Sequence, residues 1–163
     1  MNESAKNQVL AAIGTVGNLY HRLVLLAGEP GSGKTTVLQA LAQELPAELV
    51  NVNLDVSAHL LELTARQRVL RLPEVLDQIV GEASSPVLLD NLEILFDRNL
   101  QQDPLRLLQA LSRNRTIVAT WGGSVVGGKL LYAQLGHDEY RSYDDPGAVI
   151  VSLGTASQAE HTE

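Results

Sequence analysis

Residues Gly28 to Thr35 read GEPGSGKT and follow directly on the apolar run Leu23-Val24-Leu25-Leu26-Ala27. A buried strand that ends in G-x-x-x-x-G-K-[ST] and opens a helix leaves few folds available, because the turn must aim successive backbone N–H groups at one anion. Gly28, Gly31 and Gly33 permit that turn, and the helix behind it adds the positive end of its dipole. Lys34 is placed to meet β- and γ-phosphates, Thr35 to offer a hydroxyl to magnesium, and Pro30 to stiffen the loop. Glu29, Ser32 and Thr36 complete the segment 28–36 expected to hold a nucleoside triphosphate. A glycine-rich turn with an incidental lysine is the alternative; it leaves unexplained why four constrained positions coincide with a strand before them and a helix after.

The chain has 163 residues, 45% of them hydrophobic, which is enough for one domain with a substantial core, expected over 1–153. The apolar runs fall well short of a bilayer span and no basic-then-apolar leader opens the chain, so a soluble, cytoplasmic protein without membrane contact is expected. With no cysteine, disulfides, thiolate ligands and cysteine nucleophiles are excluded, and the four histidines form no zinc-type cluster. A formal net charge of −7 argues against a surface that clamps DNA nonspecifically. DNA contact then requires a local patch. Arg66, Arg68 and Arg71 form one candidate, read either as a solvated face or as a partner surface, and Arg113 with Arg115 form another.

Elements alternate along the chain. A leading helix is expected at about 5–19, strands at 22–27 and 49–54, and helices at 34–45 and near 57–64. A helical segment from Leu72 to Val80 is expected to start at Pro73 and stop at Gly81. Val87-Leu88-Leu89-Asp90 reads as a strand and Asp103-Pro104-Leu105 as a helix start. Strands at 116–121 and 148–153 follow, separated by a glycine-rich connection and a short strand or helix at 129–133. The polar tail 154–163 is expected to be disordered. This order predicts an α/β, three-layer P-loop NTPase fold around a mostly parallel five-stranded sheet.

Asp90 ends an apolar strand about fifty-five residues after the phosphate loop, where P-loop NTPases place the carboxylate that holds magnesium, here through water. A strand-end aspartate capping a turn is the alternative. AAA+ and STAND ATPases commonly follow this aspartate with a glutamate that polarises the attacking water, whereas this chain has Asn91 there. The nearest glutamate is Glu93, read either as the catalytic base or as a charge favourable at a helix start. Thr120 matches the strand-end position that senses the γ-phosphate, with an ordinary β-branched strand residue as the other reading. Arg113 and Arg115 are candidates for a finger acting in trans on a neighbour's nucleotide, or a surface pair. The polar, aromatic segment 131–143 is expected to anchor a loop or touch a protein partner.

The phosphate loop, the Leu-Leu-Asp-Asn-Leu-Glu-Ile-Leu-Phe run at 88–96, Asp103-Pro104-Leu105, Leu111-Ser112-Arg113-Asn114-Arg115, and Gly136-His137 with Glu139-Tyr140 together resemble the BrxF family. These are small P-loop proteins of type 3 BREX anti-phage systems, and the likeness covers most of residues 20–153. The resemblance implies an AAA+/STAND-like core without a C-terminal lid, binding ATP and Mg. It further implies work beside other BREX proteins, a methyltransferase and a large ATPase among them, to mark host DNA and block phage. On this reading the chain is an oligomeric, weakly hydrolysing switch; a nucleotide-binding scaffold and, less well supported, a small-molecule kinase are the other readings.

Overall fold

The computed structural model describes residues 2–81, 86–132 and 141–153. Five strands form a parallel sheet in the order β2-β3-β4-β1-β8: β1 (Leu23–Ala27), β2 (Glu48–Asn51), β3 (Val87–Asp90), β4 (Ile117–Trp121) and β8 (Val149–Ser152). All four neighbouring pairs are parallel, so helices must carry the chain back between strands and thereby cover both faces. β1 shows how the sequence builds the layers. Its five residues are all buried: Leu23, Leu25 and Ala27 point into one core, Val24 and Leu26 into the other.

The second of these cores is closed by α1 (Asn2–Val16) and α2 (Lys34–Glu44), the first by α3 (Val52–Leu60), α4 (Ala65–Val80) and α5 (Pro104–Leu111). Strand period two thus becomes a three-layer domain, as expected from the order of elements. A smaller antiparallel sheet, β5 (Gly123–Val126), β6 (Lys129–Tyr132) and β7 (Arg141–Tyr143), is inserted between β4 and β8.

Several boundaries differ from the sequence expectation. α1 begins and ends three residues earlier, and the final strand is one residue shorter at each end. β2 stops at Asn51 rather than 54, because the Asn51 side chain accepts the Leu54 amide at 3.0 Å and starts α3 there. α4 begins at Ala65, not at Pro73. Thr64 and Gln67 form a reciprocal capping box at its start, their side chains accepting each other's backbone amides at 3.1 and 3.0 Å. The helix runs on through Pro73, which has no N–H for the Val69 carbonyl four residues back. Gln102 Nε2 donates to that carbonyl at 2.8 Å and takes the missing place. Segment 129–133 resolves as a strand, and β5 and β7 were not expected at all. The tail 154–163 lies outside the described residues.

Candidate functional site

The carboxyl ends of β1, β3 and β4 lie side by side, and the phosphate loop, Asp90 and Thr120 meet there. Gly33 is the N-cap of α2 at φ +99°, a conformation that a side chain resists. Gly28 is tight for another reason: a Cβ on it would collide with Ser32 Oγ. The loop is tied to the sheet by the Gly28 amide, which donates to the Trp121 carbonyl at 3.0 Å, and is closed internally by Ser32 N to Glu29 O, also 3.0 Å. Lys34 Nζ donates to the carbonyls of Gly28 at 2.7 Å and Glu29 at 3.0 Å, which leaves one of its three protons for a further acceptor. Glu29, Pro30, Gly31, Thr35 and Thr36 are exposed along the mouth.

Asp90 organises the floor. Its Oδ2 accepts from Thr35 Oγ1 at 2.8 Å, and its Oδ1 accepts from Thr120 Oγ1 and the Asn91 amide, both at 2.9 Å. Asp90 and Thr120 are buried, so three donors compensate a carboxylate that would otherwise be costly to bury. Burial pushes the Lys34 ammonium down from its ordinary pKa, against the opposing pull of Glu93, Asp90 and Glu29, with Glu93 the strongest of the three. Glu93 therefore lies within electrostatic reach of Lys34. It opens a short 3-10 helix, Glu93–Phe96, and is exposed. Asn91 adopts a left-handed φ of +58° and its carbonyl accepts the Asn53 amide at 2.9 Å, which fixes the turn between Asp90 and Glu93.

The chain's own atoms fit a magnesium nucleotide. Ser32 Oγ is buried without a hydrogen-bond partner, an orphan hydroxyl inside a turn of converging amides. Thr35 and Asp90 present oxygen atoms, the hard donors that magnesium prefers.

The arginines divide. Arg115 is buried, with Nη1 donating to Leu111 O at 3.0 Å and Nη2 to Asp77 Oδ1 at 3.3 Å, so its guanidinium is spent inside its own chain and the finger expectation is corrected for it. Arg113 is exposed and lies over the Tyr20 ring at 5.1 Å. Both precede β4, at the sheet edge opposite the phosphate loop. The described ends of segment 131–143 turn inward: Tyr132 stacks on Phe96 at 3.5 Å, Tyr143 Oη donates to Asp103 Oδ1 at 2.8 Å, and Arg141 Nη2 donates to Gln102 O at 3.1 Å. Burial and the Asp103 bond hold the Tyr143 phenol well above its ordinary pKa. These residues anchor the loop; 133–140 lie outside the described residues.

Two parts of the site had not been singled out from sequence. Trp121 holds the phosphate loop through its carbonyl and the small sheet through its indole, which donates to Leu131 O at 3.0 Å. A cleft of 170 Å³ separates Gly28 and Glu29 from Gly123, Ser124 and Val125 of β5. The only sequence signal for either was the glycine pair directly after Trp121.

The sequence pattern of the ATPase family associated with various cellular activities (AAA) matches residues 24–118, a span that runs from within β1 to the first residues of β4 and includes the phosphate loop and Asp90. Among solved structures, C. elegans PCH-2 matches at 19% identity and a TM-score of 0.48, covering 94% of this chain and 43% of that one. The chain thus spans less than half the length of that protein. No curated protein matches the chain by sequence.

Proposed function

The chain belongs to the AAA family of ATPases, and from that premise we propose that it binds ATP with magnesium at the 28–36 loop and hydrolyses it slowly, as an oligomeric switch in a BREX-type anti-phage complex. The observation that carries the nucleotide reading is the linked set Thr35–Asp90–Thr120, which joins the phosphate loop to two strand ends by hydrogen bonds of 2.8 and 2.9 Å. Lys34 would turn its ammonium to the β- and γ-phosphates, and the loop amides with Ser32 Oγ would take their oxygens. Thr35 and, through water, Asp90 would hold the metal. When bound, magnesium neutralises charge developing on the transferring phosphoryl group. Thr120 keeps the Asp90 carboxylate aimed, and Glu93 is the group available to orient and deprotonate water.

Slow turnover follows from Asn91. An amide directly after the strand carboxylate takes no proton, and Glu93 stands exposed two residues further on. The same observation favours the second reading, a nucleotide-binding scaffold. Assembly with a methyltransferase and a large ATPase, and with further copies of this chain, rests on the resemblance to BrxF. Of the two arginines that precede β4, Arg113 is the one without an ion pair and the one that would act on a neighbouring copy.

ATP turnover measured against protein concentration, with light scattering on the same samples, tests the switch. Specific activity is expected to rise with assembly, to vanish in Lys34→Ala, and to fall about a hundredfold to ten-thousandfold in Glu93→Gln with ATP binding kept. Binding without turnover at every concentration favours the scaffold. Turnover unchanged in Glu93→Gln removes that residue from the chemistry.

A further inference from the structure

All twelve Lys and Arg residues of the chain lie within the described residues, and nine of their side chains are engaged. Lys6, Arg106, Arg115 and Lys129 form ion pairs, Arg22, Lys34, Arg68 and Arg141 donate to carbonyls, and Arg113 lies over Tyr20. Among the described residues, Arg66, Arg71 and Arg98 are the Lys and Arg residues whose side chains have neither a hydrogen-bond, an ion-pair nor a ring partner. In a chain of net charge −7, three cations left free on adjoining elements are a local reversal of sign.

Arg66 and Arg98 line opposite walls of a groove of 690 Å³ between the first turns of α4 and the short 3-10 helix Arg98–Leu100. Arg68 lines it too, anchored by its Nε on Leu63 O at 3.1 Å so that its terminal N–H groups remain free. The apolar part of the wall includes Leu70, 70% exposed, and Leu100. Among the described residues one carboxylate, Asp97, lines the groove, and its Oδ1 already accepts the Asn99 amide at 2.9 Å. The two walls are latched together. Gln102 Nε2 donates to Val69 O at 2.8 Å, the carbonyl released by Pro73, and to Leu100 O at 3.1 Å. The groove is therefore built before anything enters it.

We propose that this groove docks a segment of a partner protein in which carboxylates flank an apolar side chain. Guanidinium forks pair with carboxylates in bidentate fashion, and an apolar residue between them would cover Leu70. Charge complementarity selects an acidic occupant, and the lining selects protein over nucleic acid. Among the described residues no aromatic ring lines the groove to stack a base, and Asp97 and the leucines are poor company for a phosphate backbone. None of the phosphate-loop residues lines it, so docking stands or falls separately from nucleotide binding.

The test is selection of a displayed library of random short peptides on the whole protein, with counter-selection on Arg66→Glu/Arg98→Glu. That variant should keep its fold by circular dichroism and its affinity for ATP, since neither residue touches the nucleotide site. Enriched peptides should carry Glu or Asp around Leu, Ile or Phe, should weaken at high salt, and should bind the variant about tenfold or more weakly. Enrichment of neutral or basic peptides, or none above the variant, overturns the proposal. So does an oligonucleotide whose binding is lost in the variant when no peptide's is, and so does a change in oligomeric mass on charge reversal, which would make the groove a contact between copies.

Discussion

Ser32 shows how a single side chain can be badly placed for stability and well placed for binding. Its Oγ is buried with no partner, which costs about 1–3 kcal/mol against a satisfied hydroxyl. Ser32→Ala should therefore leave the protein as stable as before or up to about 1 kcal/mol more stable in urea, while weakening ATP binding by about tenfold. Loss of stability with unchanged affinity would show that the hydroxyl is structural. Lys34 makes a related prediction in pH. Burial holds its pKa below 10.5 in the free protein, and a bound polyanion raises it. ATP affinity should accordingly be complete below the lowered free-protein pKa and decline as pH rises through it, at a lower pH than an ordinary lysine would give. Fluorescence titration of an ATP analogue across alkaline pH reads this directly. The reverse trend, affinity growing with alkalinity, would mean that Lys34 does not meet the phosphates.

Elements were legible to different depths. The phosphate loop, β3 with Asp90 and β4 with Thr120 were readable because each couples an apolar run to a polar residue at a fixed end, and the fold supplies their meeting. Arg115 misled, because nothing local marks it as buried against Asp77, 38 residues away. α4 misled for a sharper reason. Proline ordinarily opens a helix, and only the distant Gln102 side chain lets this one continue through Pro73. Gln102→Ala should cost about 1–3 kcal/mol, since it strands the Val69 carbonyl. The same substitution in a Pro73→Ala background should cost much less, because a backbone N–H is restored to that carbonyl. A double-mutant cycle by chemical denaturation measures the coupling; additive losses would show that Gln102 acts elsewhere. β5 and β7 escaped notice, and 129–133 stayed open between strand and helix, because these strands are three or four residues long, too short for alternation to appear.

On the scale of the molecule, the sheet order brings three strand ends to one edge, and the pairings Leu26 with Thr120 and Asn51 with Asp90 set their heights. That register is why Thr35, Asp90 and Thr120 form one hydrogen-bonded set although far apart in sequence. Among the described residues no helix is long and apolar enough to cross a membrane. The central claim is that this edge is a magnesium-nucleotide site whose affinity depends on Lys34. Calorimetric titration of the whole protein with ATP, in magnesium and in chelator, beside Lys34→Ala, tests it most directly. The account predicts one site per chain, weakened without magnesium and weakened by about tenfold to a hundredfold in Lys34→Ala. Equal affinity in the wild-type protein and in Lys34→Ala, with or without the metal, would contradict it.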